Sequence, residues 1–396
     1  MTKNSNTLPQ GWQIKTLGQI GSFSKGKGIT KAEIVETGKP CIRYGQIYSE
    51  YNYFVEEFKS FINDESASNS ERIYKNDLLF AGSGETLEDI GKCVAYIKDE
   101  EAYAGGDIII LRPNSEDAHY LGYLFNTDDF KRQTFKLGQG HSVVHIYSSS
   151  LKNVKVALPP LPEQQKIAKI LATWEKAIAL QQKLISNKKE NQKAVMKKLL
   201  TGEVRFEGFD DEWKRVRLGE IGTIIMGQSP DSKSYNKTGN GVYLLQGNAD
   251  ITNRKSNPRI WTSLPSKMCD INDILMTVRA PVGAIAIAIH NACIGRGICT
   301  IKPLINSSFL YHILVYFESK WGKLEQGSIF SSISSTDIKL LKLRIPNDRK
   351  EQKKIASFLS RLDKEINALQ NELIALRKQK QGLMQQLLTG KIRVKN

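Results

Sequence analysis

Apolar residues recur at alternating spacings of four and three near the end of the chain. The positions are Ile355, Leu359, Leu362, Ile366, Leu369, Leu373, Leu376, Leu383 and Leu387. Lys380 holds the one polar position of the series. A heptad pattern sustained over this length predicts a helix from about Arg349 to Leu388, with a coiled-coil seam along one face.

The same pattern occurs 188 residues earlier. Matching segments begin at Glu163 and Glu351, and matching Leu-Leu-Thr-Gly runs end at Gly202 and Gly390. The earlier seam is Ile167, Leu171, Trp174, Ile178, Ile185, Val195 and Leu199, with polar Gln181, Lys188 and Gln192 at the remaining positions. The pattern predicts a first long helix from about Pro162 to Leu200, with a proline in its first turn and a glycine after its end.

The two predicted helices have matching seams and equal lengths. We expect them to pair with each other as an antiparallel coiled coil, roughly 60 Å long at about 1.5 Å per residue, which gives the chain pseudo-twofold symmetry. The alternative is that each helix packs separately on its own globular part.

Short apolar runs bounded by Gly, Asn, Asp or Pro precede the first long helix, and they predict strands. These runs are Cys41–Tyr44, Asp77–Phe80, Cys93–Ile97 and Asp107–Leu111. Residues 120–135 have helical spacing. The expected class is therefore α/β in the broad sense, a mixed α+β fold with a strand-rich core.

The globular part is also duplicated. Residues 12–21 match 213–222, and 76–80 match 272–276, whereas the intervening segments differ in length. The sequence therefore predicts a shared frame with diverged contents. The predicted boundaries are 1–158 for the first globular domain, 159–206 for the first helix, 207–346 for the second globular domain and 347–396 for the second helix.

The net charge of +16 makes nucleic acid the first partner to consider and an anionic membrane surface the second. Residues 160–206 and 347–396 carry +6 and +7 of this charge. The excess either faces solvent, phosphates or an acidic partner subunit. There is no apolar run long enough to span a membrane and no signal-peptide pattern, so we expect a cytoplasmic protein. The five cysteines show no zinc spacing and are expected to be buried reduced thiols.

The sequence contains no complete catalytic or metal-binding motif. Gly21–Gly28 approaches a phosphate-binding loop but lacks the Ser or Thr after Lys27, and the matching residues 222–229 lack the Lys. We therefore expect no catalytic residues, no metal and no cofactor in this chain.

Specific motifs surround the two helices. They are Leu158-Pro-Pro-Leu-Pro-Glu-Gln-Gln-Lys-Ile-Ala168, Lys198-Leu-Leu-Thr-Gly202, Glu351-Gln-Lys-Lys-Ile-Ala356, Gln386-Leu-Leu-Thr-Gly390 and Asp273-Ile-Leu-Met-Thr-Val-Arg-Ala-Pro-Val-Gly283. With two variable domains, this arrangement resembles the specificity subunit of Type I restriction-modification enzymes over nearly the whole chain. One departure is Ile345-Pro-Asn-Asp-Arg349, which lacks the Pro-Pro-Leu-Pro before the second helix.

The resemblance implies that each globular part is a target recognition domain that reads half of a bipartite double-stranded DNA sequence. It implies that the helices fix the spacer and dock two methyltransferase (modification) subunits, with two ATP-dependent restriction subunits completing the complex. S-adenosylmethionine, ATP and magnesium would bind to those partners. Without the resemblance, a coiled-coil scaffold that binds only protein, or a nucleic-acid enzyme, remains open.

Polar residues in turns after strands are the candidates for DNA contact. Arg and Gln can pair bidentately with guanine and adenine edges. The candidates are Arg43 and Gln46 in the first domain, Gln246 and Asn248 in the second, Ser83 and Arg279 in matching turns, and Lys25 and Lys27 for phosphates.

Overall fold

A computed structural model describes residues 8–84, 86, 90–140, 144–324 and 332–394. The chain forms two compact units. Unit 1 contains the described residues up to Gln181 together with those from Leu373 onward, and unit 2 spans Gln182–Glu372. The units reflect packing, whereas the boundaries predicted above follow chain order, so each unit takes part of both long helices.

The long helices lie where the heptad pattern predicts them. The first spans Leu161–Thr201 and the second Arg349–Leu388. Inside unit 1, Glu175 of the first helix forms an ion pair with Lys380 of the second. Inside unit 2, Gln192 Nε2 donates to Asp363 Oδ1 at 2.6 Å, and Lys188 Nζ lies 2.6 Å from Glu365 Oε1.

Later positions of the first helix thus meet earlier positions of the second, so the helices pair antiparallel and the alternative of separate helices is wrong. Every predicted seam position of both helices is buried or half-buried, and their role as the contact between the helices stays a prediction. Ile374, an apolar residue outside the seam, is 64% exposed.

The polar seam residues Gln181, Lys188 and Gln192 offer a test of this register. Replacing all three with leucine is expected to raise the melting temperature or to cause self-association, because each half-buried leucine stabilises the seam by about 1 kcal/mol. Asp363 and Glu365 lose partners but can turn to solvent, since both are partly exposed. Scanning calorimetry and sedimentation measure the two outcomes.

The matched control replaces exposed Lys176, Lys183 and Lys189 with leucine, which adds the same apolar surface outside the seam. It should leave the melting temperature unchanged. The same melting and the same mass for the seam variant and the wild type would contradict the proposed register.

Most of the strand residues in the described part of unit 1 lie in two sheets. The four-stranded sheet has the order Gly21–Lys25, Ile108–Pro113, Leu78–Ala81, Cys93–Ala95. The five-stranded sheet has the order Ile34–Val35, Ser60–Ile62, Lys39–Ile42, Ala102–Ala104, Glu71–Ile73. Two ribbons pair Gln13–Thr16 with Lys155–Leu158 and Ser83–Gly84 with Val144–His145. The shorter helical segments are Leu17–Ile20, Lys31–Glu33, Tyr44–Ser49, Asp64–Ser68, Ala118–Leu124, Asp128–Phe135 and Ser148–Leu151.

Unit 2 repeats this plan. Its first sheet has the order Gly222–Met226, Ile298–Pro303, Ile274–Thr277, Ile285–Ile287, Lys255–Ser256, Ile251–Thr252. Its second has the order Tyr235–Asn236, Ile260–Thr262, Val242–Leu245, Ala292–Ile294, Met268–Cys269. A ribbon pairs Lys214–Arg217 with Lys342–Ile345. The shorter helical segments are Leu218–Ile221, Ser232–Ser234, Asn248–Asp250, Ser307–Leu324 and Ser335–Lys339.

Each globular part packs on the start of one long helix and the end of the other. The core of unit 1 includes Ile167 and Leu171 from the first helix and Leu387 from the second. The core of unit 2 includes Leu199 from the first helix and Leu359 from the second. A continuous apolar core therefore attaches each domain to the paired helices.

The repeated Glu-Gln at the start of each helix has a structural role. Glu163 accepts two hydrogen bonds from Arg393 (2.7 and 2.8 Å), and Glu351 accepts two from Arg205 (2.9 Å each). The next residue in each copy donates to a proline carbonyl, Gln164 to Pro159 at 3.0 Å and Gln352 to Pro346 at 2.9 Å. The second helix thus begins as the first does, despite its different preceding sequence.

All five cysteines are free and buried, as predicted. Burial raises the pKa of Cys41 to about 11 and that of Cys299 to about 12, so these thiols remain protonated and unreactive near neutral pH. Among the described residues, no helix is long and apolar enough to cross a membrane.

Candidate nucleic-acid interface

The five-stranded sheet of each unit contains a pair of neighbouring parallel strands that ends at an exposed edge. In unit 1, Lys39–Ile42 runs parallel to Ala102–Ala104, and in unit 2, Val242–Leu245 runs parallel to Ala292–Ile294. Arg43 directly follows Lys39–Ile42 in unit 1, and Gln246 directly follows Val242–Leu245 in unit 2. Carboxyl ends of neighbouring parallel strands meet at one edge, where open sheets commonly bind ligands.

A third segment joins this edge in each unit. Lys27 N–H donates to Ala104 O at 3.0 Å in unit 1, and Gln228 N–H donates to Ile294 O at 2.9 Å in unit 2. The preceding residue is glycine in both copies, because a Cβ at that position would collide with a backbone carbonyl. We call residues 26–28, 43–46 and 105–107 the parallel-strand edge of unit 1, and residues 227–229, 246–250 and 295–297 that of unit 2.

The two edges share their backbone bonds and differ in the side chains at equivalent positions. Arg43 N–H donates to Gln46 Oε1 at 2.9 Å, and Gln246 N–H donates to Asp250 Oδ2 at 2.7 Å. Arg43 therefore corresponds to Gln246, and by the bonds above Lys27 corresponds to Gln228. The same frame thus presents two cationic side chains in unit 1 and two carboxamides in unit 2.

An open cavity of about 890 Å³ adjoins the edge of unit 1. Its lining includes Arg43, Lys31 and Lys59, together with Tyr44 and Tyr48. Arg43 Nε is buried and has no hydrogen-bond partner among the described residues. A guanidinium with an unused donor beside aromatic rings suits an acceptor-rich ligand such as a guanine edge or a phosphate.

Two predicted candidates are not in solvated turns, and that expected location is wrong. Gln46 lies in a short helix and is only 6% exposed; its Nε2 donates to Ser60 Oγ at 2.8 Å. Ser83 lies in a short strand and is 2% exposed, with its Oγ 2.8 Å from His145 Nδ1. Packing from residues distant in sequence buries both side chains, so each supports its loop. Their participation in DNA contact stays a prediction.

The remaining candidates are exposed. They are Lys25, Lys27, Gln246, Asn248 and Arg279. Lys25 Nζ lies 3.5 Å from Asp107 at the edge of unit 1. Strand Ile108–Pro113 runs antiparallel to both Gly21–Lys25 and Leu78–Ala81. The segments that follow those two strands therefore begin at the same end of the sheet. The structure thus brings Lys25, Lys27 and the Ser83 segment to one side of unit 1.

Sequence reasoning missed exposed Gln228 and Arg296 at the parallel-strand edge of unit 2, and exposed Lys31 and Lys59 in the cavity beside the edge of unit 1. Gln228 was findable, because residues 222–229 match 21–28. Arg296 follows a strand whose partner is distant in sequence, so no local signal marks it. No cluster of three or more His, Cys, Asp or Glu suited to a metal ion occurs in the described part of the chain.

Two strand-rich domains of one design, joined by a shared pair of antiparallel helices and each ending in an exposed polar edge, define a duplicated recognition module. The sequence profile of the Type I restriction modification DNA specificity domain matches residues 9–188 and 210–376. The chain belongs to this family of Type I restriction-modification specificity subunits.

Proteins of this family match the chain over almost its whole length. A putative Type I restriction enzyme specificity subunit, MjaX of Methanocaldococcus jannaschii, is 35% identical over 98% of this chain and 95% of its own length. The crystal structure of the HsdS subunit from Thermoanaerobacter tengcongensis is similar with a TM-score of 0.52 at 26% identity, covering 99% of this chain and all of that one. The S subunit from M. genitalium has the same fold, with a TM-score of 0.62 at 17% identity over 98% of each chain.

Proposed function

We propose that this chain is the sequence-specific DNA-binding subunit of a Type I restriction-modification complex. Each unit reads one half of a bipartite DNA target with its parallel-strand edge, and the paired helices set the spacer between the halves. The observation that carries the proposal is the pair of equivalent edges, in which the same backbone arrangement presents Arg43 and Lys27 in unit 1 but Gln246 and Gln228 in unit 2.

The chemistry of these side chains supports base reading. Arginine pairs bidentately with guanine O6 and N7, and glutamine with adenine N6 and N7. A duplicated frame with different donors is what two unequal half-sites require. A scaffold that binds only protein gives no reason for this divergence at exposed edges, and family membership also weighs against it.

The chain acts with other subunits. In this proposal its helices dock two methyltransferase subunits that bind S-adenosylmethionine, and two restriction subunits supply ATP- and magnesium-dependent cleavage. The chain itself performs no catalytic step and positions the other subunits on cytoplasmic DNA.

Reconstitution tests the proposal. The chain is expressed with a Type I methyltransferase subunit from the same organism, and methylated bases are mapped on genomic DNA. We expect methylation confined to a two-part motif with a fixed gap, and none when the chain is omitted. A stable complex with the methyltransferase that methylates no specific motif would instead support the protein scaffold.

A further inference from the structure

The ribbon of Lys214–Arg217 and Lys342–Ile345 carries an exposed face made only of cations. Cross-strand partners share a face, and Arg215 lies opposite Arg344 while Arg217 lies opposite Lys342. All four side chains are exposed. The opposite face of the ribbon contributes Val216, Leu343 and Ile345 to the core of unit 2. We call the four exposed residues the cationic ribbon face.

This face is electrostatically unfavourable in the isolated protein. Like charges directly opposite each other on a ribbon destabilise it, and here two such pairs adjoin. None of the four has an ion pair or side-chain hydrogen bond with a residue that the structure describes. The carboxylate of Glu220 accepts from the backbone N–H of Arg217 at 3.1 Å and caps the following helical turn. An external anionic group would relieve the repulsion.

The equivalent ribbon of unit 1 lacks the feature. Its register pairs Ile14 with Ala157 and Thr16 with Lys155, so the corresponding face has one cation. Ile14 there is 58% exposed. The cations are therefore not needed to form this ribbon, which folds with the same register without them.

The cationic ribbon face lies apart from the parallel-strand edge of unit 2. The ribbon leads directly into Leu218–Ile221, after which strand Gly222–Met226 runs to the parallel-strand edge of unit 2. The ribbon and the edge therefore lie at opposite ends of that strand. Its five residues span about 17 Å. On its other side the ribbon is followed at once by the second long helix, which begins at Arg349.

We propose that the cationic ribbon face is a docking surface for an acidic patch on a protein partner, the methyltransferase subunit bound at unit 2. This inference rests on the proposed function, because it names a surface through which the partner docks. Unit 1 has no such face, so the two copies of the partner bind unequally, and the copy at unit 2 binds first at low salt.

The test removes the four charges together in R215Q/R217Q/K342Q/R344Q. The matched control K233Q/K237Q/K255Q/K267Q removes four exposed charges from the same unit away from the ribbon. Affinity for the methyltransferase subunit is measured by calorimetry or native mass spectrometry at about 0.1 M salt, where the Debye length is about 10 Å. We expect the ribbon variant to bind the first copy about tenfold more weakly, with the loss shrinking at high salt, and the control to bind like the wild type.

A gain-of-function variant keeps the test independent of folding defects. I14R/T16R/A157R places the missing cations on the unit 1 ribbon, and we expect it to bind the second copy more tightly and to reduce the difference between the two binding steps.

Other outcomes overturn the inference in distinguishable ways. Unchanged partner affinity with weakened DNA binding by the ribbon variant would assign the face to phosphates. Unchanged binding of both, or an equal loss in the control, would make it a solvated surface. If the wild-type chain fails to bind the methyltransferase subunit at all, the proposed function falls as well.

Discussion

Replacing Arg112 with alanine is expected to destabilise unit 1 by about 3 kcal/mol or more, because it leaves a buried carboxylate without its cation. The Asp77 side chain is fully buried and accepts from Arg112 Nε and Nη2 at 2.8 Å each. These bonds also raise the pKa of Arg112 above its usual value. Tyr74 N–H also donates to the Asp77 carboxylate, at 2.8 Å. Hydrogen exchange of unit 1 amides during denaturant unfolding measures the loss for this unit alone.

Two comparisons separate the buried charge from lost packing. Adding D77N to R112A should recover part of the stability, since no charge then remains buried. Lys302, which corresponds to Arg112 in unit 2, lies 3.0 Å from Asp273, and that carboxylate also accepts from Thr300 Oγ1 and Asp270 N–H. K302A should therefore cost less than R112A. A loss under 1 kcal/mol for R112A, or no recovery with D77N, would contradict the explanation.

Local periodicity predicted the parts of the fold that depend on neighbours in sequence. The heptads placed the second helix correctly at both ends and the first within one residue at each end. The run at residues 77–80 is a strand shifted by one residue, Leu78–Ala81. Tyr44 was expected to end a strand but begins a short helix, because Gln46 caps the backbone N–H of Arg43.

The sequence pattern did not predict which strands far apart in the chain pair with each other. The parallel pairing of Lys39–Ile42 with Ala102–Ala104 joins segments about sixty residues apart, and it creates the edge that places Arg43 beside Lys27. Gln46 was expected to be a solvent-facing donor, but its Nε2 donates to Ser60 Oγ in strand Ser60–Ile62. Which polar side chain of a loop is exposed depends on these non-local partners, so the local sequence alone does not predict it.

The edges predict separate effects on the two half-sites. Arg43→Ala is expected to relax or change one position of the half-site read by unit 1, and Gln246→Ala one position of the other. Each good bidentate pair contributes about 1–3 kcal/mol of discrimination, or roughly 5- to 150-fold in preference. Methylome mapping and methylation rates of each reconstituted complex measure the effects. The reciprocal variants R43Q and Q246R test whether the preferred base follows the side chain.

Arg72→Ala is the matched control for Arg43→Ala, because it removes an exposed cation from unit 1 outside the parallel-strand edge. It should weaken DNA binding at most slightly and leave the motif intact, since a charge that reads no base changes affinity evenly across sequences. A changed half-site in R43A with an unchanged partner half-site would assign the edge of unit 1 to that half. If methylation persists at the same motif and rate in both R43A and Q246A, neither residue reads a base and the reading surface lies elsewhere on the units.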